Sequence, residues 1–438
     1  MKIEDCCLRS GDFTGNATQL LDCVKDAAKA GVKELVIPCD ALQGGDCGSL
    51  ATHPAFVKLV HTAEEKFLKA VAKVKGAPKL VKGAPLARTP VAKGPDPRLP
   101  FCGRPAEVFA CQVAGLVRRL KSMPWCHDVV LGLSGGLDSA LALLVSVAAF
   151  EALGYEKKGI HVVTMPGFGT TKRTRGNADL LCEGLGLALE TIDITPACRQ
   201  HFKDIHQPAS RVDVVFENTQ ARERTQILMD MSNQCNGIVI GTGDMSEIAL
   251  GWSTYNGDHM SMFAVNAGVP KTAVRDVCHW WAEERVKGLK VKGLKSVGVE
   301  VKGLKGGGEV KAAGALLDII ATPVSPELLP AKRGEIQQKT EDKIGPYELH
   351  DFFLWHFIAD QEDSKEILRA AKKAFRGTYD AATIEKWLNL FFKRFFSQAF
   401  KRNCAPDGIP VFQVYLAPSG WYIPSDMVNF FDLIEGAR

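Results

Sequence analysis

The 438-residue sequence predicts an α/β protein with a doubly wound parallel sheet, a helical segment after it and a small α/β block before it. Three observations carry that prediction. Between about residues 99 and 284, short apolar runs alternate with helix-length periodic segments, the pattern of βαβ units. Two of the runs, 129–133 and 237–240, end directly in glycine turns, Ser134-Gly135-Gly136 and Gly241-Thr242-Gly243. Each turn leads into a helix, so both lie at strand carboxyl ends, where open parallel sheets bind ligands.

Taken in order, residues 16–34 carry helical periodicity through Leu20, Leu21, Val24, Ala27 and Ala28, and Glu34–Pro38 reads as a short buried strand. A second amphipathic helix spans about 54–74. Residues 74–98, rich in Pro, Gly and Lys, read as a linker between a block at 1–73 and a domain at 99–435. Within that domain the spacing predicts helices over 105–122, 137–152, 176–187 and 218–232. Strands are expected at 129–133, 159–165, 190–194 and 237–240. Val-Lys-Gly-Leu-Lys motifs recur over 286–310, whose glycines and lysines cannot build a core and read as a solvated insertion. Aromatic helices follow at 347–358, 365–375 and 382–402.

A hydrophobic content of 46% with 24% charge is that of an ordinary globular chain. The net charge of +4 argues against a dedicated nucleic-acid binder. Thirteen cysteines without framework spacing suggest reduced thiols in the cytoplasm rather than disulfides. The charged start Met1-Lys2-Ile3-Glu4-Asp5 lacks the apolar core of a signal peptide, and no run approaches the ~18 apolar residues of a membrane span.

The stretch Gly132-Leu133-Ser134-Gly135-Gly136-Leu137-Asp138-Ser139 offers the parts of an anion site. Glycines let backbone approach a ligand closely, and N–H groups at the turn and helix start attract phosphate. Ser134 and Ser139 add hydroxyls, and Asp138 puts a carboxylate where a phosphate-bound Mg²⁺ would sit. The spacing is not that of GxxxxGK[ST], which argues against an ordinary ATPase or kinase. After the second turn, Asp244-Met245-Ser246-Glu247 reads as a helix start with acids favouring its dipole. Glu247 could join Asp138 on Mg²⁺ if the two strands are neighbours. Asn218 and Arg222, four apart, share a helix face and could meet one ligand. The polar and aromatic run Ala249–Asp258 suits a ring-binding loop, Lys271 could pair with phosphate, and the basic, glycine-containing loop 167–175 reads as a phosphate lid.

The Ser-Gly-Gly-Leu-Asp-Ser run resembles the SGGxDS pyrophosphate loop of the ATP pyrophosphatases. Residues 214–281, with Gly-Thr-Gly-Asp-Met-Ser-Glu, Tyr-Asn-Gly-Asp-His-Met and Val-Pro-Lys-Thr, make the likeness specific. Together with Met165–Thr171, Thr322–Pro330, Gly345-Pro346-Tyr347, Phe395–Arg402 and Pro424-Ser425-Asp426, they resemble NAD⁺ synthetases of the long, bacterial glutamine-dependent type over about residues 100–427.

The resemblance implies an adenine nucleotide alpha hydrolase-like fold and ATP-dependent amidation of deamido-NAD through an acyl-adenylate, with AMP and pyrophosphate released. It implies ATP at residues 132–139, Thr242 and Lys271, with Mg²⁺ on Asp138 and Glu247. Deamido-NAD falls to Asn218, Arg222, Glu247, Asp258, Lys401 and Arg402, with Asp138, Lys271 and Asp258 catalytic. A homodimer through the synthetase domain is also implied, with no membrane or nucleic-acid partner.

Residues 14–74 resemble the start of the family's nitrilase-like glutaminase domain, but Cys39 stands where the catalytic glutamate belongs, and no room is left for the lysine and nucleophile. The block therefore reads as a truncated, catalytically dead remnant in which Cys39 and Cys47 are buried packing thiols. Ammonia is the expected nitrogen donor. A separate glutaminase partner and a non-catalytic assembly subunit are the two alternatives.

Overall fold

A parallel strand pair needs a crossover connection, usually a helix, and the first of two units, Met1–Thr89, contains one such crossover. The computed structural model describes residues 8, 12–43, 54–83, 90–169, 172–208, 210–287, 307–322, 340–418 and 420–425. Helix α1 (Phe13–Lys29) begins at Asp12, whose carboxylate accepts the Gly15 N–H at 2.8 Å, a normal N-cap. Strand β1 (Glu34–Pro38), helix α2 (Pro54–Val71) and strand β2 (Lys79–Gly83) follow, with β1 and β2 paired in register Leu35↔Leu80. Leu20, Val24 and Ala27 of α1 pack with Leu35, Phe67 and Val71 into a small separate core.

The expected linker over 74–98 is corrected by β2. Leu80 and Val81 give a lysine-rich run enough apolar character to pair with β1. The unit boundary falls between Thr89 and Pro90, and Val91 is buried in the second unit's core, its N–H donating to Val411 O at 2.9 Å. Cys39, expected to be buried, is exposed in the turn after β1; Cys47 lies outside the described residues.

In the second unit, Pro90–Arg438, α3 (Pro105–Lys121), β3 (Val129–Gly132), α4 (Leu137–Leu153) and β4 (Ile160–Thr164) come first. Next are α5 (Lys172–Leu185), β5 (Leu189–Thr191), α6 (Thr195–Asp204), α7 (Val214–Gln234), β6 (Ile238–Gly241), α8 (Met245–Leu250), β7 (Phe263–Ala264) and α9 (Lys271–Val286). The helical remainder is α10 (Gly308–Ile320), α11 (Thr340–Ile344), α12 (Tyr347–Ile358), α13 (Ser364–Ala374), α14 (Ala381–Ser397) and α15 (Ala399–Arg402).

All five strands of this unit are parallel, in the order β5-β4-β3-β6-β7. The chain winds from β3 outward to β5 and then returns to β6 on β3's other side. That reversal makes the crevice beyond β3 and β6 the natural ligand site. Side chains of β3 alternate between faces: Val129 and Leu131 join the large core with α4, while Val130 joins Phe202 and Phe216 of α6 and α7. Helix α4 is buried on almost every side, as its near-continuous apolar sequence requires.

Two other expectations shift. Helix α5 starts at Lys172, so the second half of the expected 167–175 lid is helix, and Arg173 pairs with Asp318 of α10 at 2.7 Å. Most of the expected 286–310 insertion, residues 288–306, lies outside the described residues, and its two ends belong to α9 and α10.

Candidate active site

The Ser134–Ser139 turn is folded by its own hydroxyls. Ser134 Oγ accepts the Gly136 N–H at 3.1 Å and lies 3.1 Å from Ser139 Oγ, which in turn donates to Gly136 O at 3.0 Å. Gly135 has φ +80°, and a Cβ there would sit 2.2 Å from Thr174 O, so only glycine fits where α5 packs on the turn. Gly132 and Leu133 bring β3 into the turn, Leu137 is buried beneath it, and Asp138 sits in the first turn of α4.

β3 and β6 are neighbours, so the condition for Asp138 and Glu247 to meet is satisfied. Asp244 caps α8, its Oδ1 accepting the Glu247 N–H at 2.9 Å. Asp138, Asp244 and Glu247 each bring a carboxylate oxygen to one point. Lys271, first residue of α9, fills that point: its Nζ is 2.6 Å from Asp138, 2.7 Å from Asp244 and 3.0 Å from Glu247, with only 3% of the side chain exposed. The three acids hold the ammonium firmly protonated against its burial. Burial pushes Asp244 and Glu247 upward, with Lys271 opposing. Lys271 and Asp244 are buried, whereas Asp138 and Glu247 keep 21% and 24% of their side-chain surface exposed.

Two buried networks hold this cluster. Asn266 donates its amide to Asp138 O and to Thr242 O, both at 2.9 Å, and its own carbonyl accepts from Gln112 of α3 at 2.9 Å. One amide thereby clamps the two glycine turns together. Asp351 of α12 accepts from Ser246 Oγ, Thr272 N–H (3.0 Å) and Thr272 Oγ1 (2.7 Å), while Ser246 Oγ accepts the Lys271 N–H at 2.8 Å. Burial raises the Asp351 carboxyl to about 6. Tyr347 sets its ring 5.3 Å from Lys271 Nζ.

The other side of the site is organised by Thr254. Its N–H donates to Asp258 Oδ1 at 2.6 Å, its hydroxyl donates to Asn218 Oδ1 at 2.8 Å, and its carbonyl lies 3.0 Å from His259 Nδ1. Arg222 Nε donates to Tyr255 O at 3.2 Å, so the shared face of Asn218 and Arg222 meets the 254–255 loop. A cavity of about 490 Å³, including its open mouth, is lined by Glu247, Asp258, His259 and Lys401. Asp258 is open to that space yet deep within it, and the loss of bulk water raises its carboxyl.

Lys401 and Arg402 both line this cavity and also hold backbone carbonyls. Lys401 borders the cavity but donates to Gly251 O and Ser253 O at 3.0 and 2.7 Å. Arg402 is 3% exposed and donates to Ala249 O and Phe395 O. Both brace the carbonyl-rich end of α8, a favoured place for cations, and Arg402 lines the cavity as well. Sequence reasoning missed Asp244, which it read as a cap alone, as well as Gln112, Asn266 and Asp351. Gln112 and Asp351 lie inside helices, and Asn266 lies in the turn after the two-residue strand β7.

A nucleotide-binding α/β protein of the adenine nucleotide alpha hydrolase-like class is what this sheet order and serine-glycine turn define. The NAD synthase family model matches residues 110–286. A glutamine-dependent NAD(+) synthetase of Mycobacterium leprae is 38% identical over 347 residues, 73% of this chain and 48% of that protein. The Thermotoga maritima protein of the same name is 31% identical over 63% of this chain and 41% of its own length. Residues 110–286 belong to the NAD synthase family, and the chain spans about half the length of the curated relatives it matches. Its fold is that of a glutamine-dependent NAD(+) synthetase structure from Cytophaga hutchinsonii, with a TM-score of 0.72, 13% identity and 98% of each chain covered.

Proposed function

We propose that this chain makes NAD⁺ from deamido-NAD and ATP with ammonia as nitrogen donor. The observation that carries the reading is the Lys271–Asp138–Asp244–Glu247 cluster beside the Ser134–Ser139 turn, within the residues that belong to the NAD synthase family. A nicotinate carboxylate is a poor electrophile until it is activated. In the proposed reaction it attacks the α-phosphorus of ATP, pyrophosphate leaves, and ammonia displaces AMP from the acyl carbon. The protein's part is positioning and charge neutralisation. The Ser134–Ser139 turn receives the pyrophosphate, and Lys271 supplies positive charge. Asn218, Arg222 and Asp258 receive the dinucleotide around the Thr254 loop.

The residues fit a hard dication. Asp138 Oδ1 is buried without a hydrogen-bond partner among the described residues, and the donor set is all carboxylate, the oxygen chemistry that suits Mg²⁺. Asp138 and Glu247 would hold it, and it would offset phosphate charge as a Lewis acid.

Ammonia is favoured over glutamine by the first unit, where Cys39 occupies the position expected for a general-base glutamate and is exposed on a turn. The same reading takes 1–73 as an inactive glutaminase remnant and the enzyme as a cytoplasmic homodimer. The ten cysteines among the described residues form no disulfide with one another, which suits a reducing compartment. The test follows NAD⁺ and AMP from deamido-NAD and Mg·ATP with ammonium or glutamine. Turnover with ammonium alone is expected. Turnover of the pure protein with glutamine would overturn the donor assignment, and a folded sample silent with ammonium would overturn the activity.

A further inference from the structure

His259 borders the same cavity as Glu247, Asp258 and Lys401, and its two ring nitrogens have different surroundings. Nδ1 faces Thr254 O at 3.0 Å. A carbonyl only accepts, so Nδ1 must carry the proton, and the neutral ring then presents a bare lone pair on Nε2. That Nε2 is buried and has no hydrogen-bond partner among the described residues. An unmatched acceptor of this kind is costly to keep inside a protein. The ring is held in place by the Thr254 bond and by stacking on Tyr255, with centroids 5.9 Å apart. Asp258 and Lys401 are the charged groups beside it, and burial keeps the imidazole neutral more strongly than Asp258 favours the imidazolium.

We infer that His259 Nε2 is the proton acceptor for the ammonia step, an inference that rests on the function proposed above. The nitrogen lone pair forms the C–N bond to the acyl carbon. The bond from that carbon to the AMP oxygen breaks, its electron pair leaving on the phosphate. The proton shed by nitrogen passes to Nε2, giving the imidazolium, which Asp258 stabilises until solvent removes the proton. A chain that draws on bulk ammonium has a use for such a group, because the amine adduct must lose protons before the amide is formed. Thr254, which fixes Asn218, Asp258 and His259 together, is then the positioning residue that sets acceptor and dinucleotide in one frame.

Two reactions of the full-length protein separate this inference from the function it rests on. Deamido-NAD-dependent exchange of labelled pyrophosphate into ATP reports adenylation, and NAD⁺ formation with ammonium reports the whole reaction. His259→Asn can still donate to Thr254 O from the Nδ1 position but has nothing at Nε2. His259→Gln places an amide near Nε2 that can accept a hydrogen bond but not a proton. Both are expected to lower NAD⁺ formation about 10²–10⁴-fold while exchange stays within about twofold of wild type. NAD⁺ formation preserved in either variant overturns the inference. So does a fall in exchange equal to the fall in amidation, which a structural role would produce. Absence of exchange in the wild-type protein would remove the proposed function, and this inference with it.

Discussion

At the proposed phosphate end of the site, Lys271 is packed among Asp138, Asp244 and Glu247, and its ammonium meets a carboxyl group of each. At the proposed acyl end, Thr254 gathers Asn218, Asp258 and His259 through its N–H, hydroxyl and carbonyl. The first arrangement is nearly all-or-none, since removing the buried ammonium strands the acids around it. The second is graded, because each hydrogen bond contributes about 1 kcal/mol and the loop stays open to solvent. Charge is concentrated where phosphates would be handled, and directional bonds where a particular ring would be placed.

The sharpest test of that contrast is Lys271→Met. It leaves three carboxylates facing one another, so a loss of about 3–5 kcal/mol in stability is expected. At least a ~100-fold fall in NAD⁺ formation, about 2.7 kcal/mol of transition-state stabilisation, is expected as well. Denaturant titration and steady-state assay read the two effects. A folded, fully active Lys271→Met protein would dissolve the distinction between the two ends.

Next in size is the pH dependence set by Asp351. Its carboxyl is raised to about 6 in the folded protein, against an ordinary value near 4. Below about pH 4 the group is protonated folded or unfolded, and no charge need be buried. As pH rises through about 6 the folded state must carry a buried carboxylate, and about 3 kcal/mol of stability present at low pH is lost. Asp351→Asn should flatten this slope between pH 4 and 7, measured by thermal melts across that range. An unchanged slope would show that the group does not titrate there.

A smaller, end-specific effect is expected for Thr254→Val, which keeps the backbone bonds but removes the hydroxyl from Asn218. The KM for deamido-NAD should rise about 5–10-fold, the equivalent of one lost hydrogen bond, with that for ATP unmoved. Equal changes in both would mean that the ends are not separable. Smallest of all is Arg173→Ala. It removes an ion pair with Asp318 whose arginine is half exposed, worth at most about 1 kcal/mol. A larger loss would mean that α5 depends on that pair to sit on Gly135.

Local pattern was enough to read the strands β3, β4 and β6 and the helices α3, α4, α12 and α13 to within a residue or two, because each is a strongly apolar or periodic run. The glycine turns, Asp138, Glu247 and the Asn218–Arg222 face were legible for the same reason: chemistry sits next to an element end. Asp351 and Asn266 were not legible. Each acquires its role only from partners 24 to 154 positions away along the chain. The two-residue strand β7 was too short to show any period. β2 was hidden by its lysines, which a solvent-facing edge tolerates. Arg402 lines the cavity, but its bonds to Ala249 O and Phe395 O could not be read from the sequence, because they join it to backbone brought near only by the fold.

Asn266 also bears on how the chain acquires its site over time. The first glycine turn is complete at Ser139, but the amide that ties it to Thr242 comes 128 positions after Asp138. Closing so long a loop is slow compared with forming the flanking helices. During synthesis the two turns, although they follow paired strands, therefore lack this clamp until residue 266 has emerged and docked. Nucleotide affinity should thus arrive late and abruptly in biogenesis, which makes ligand protection of a nascent or refolding chain a clock for the last long-range step.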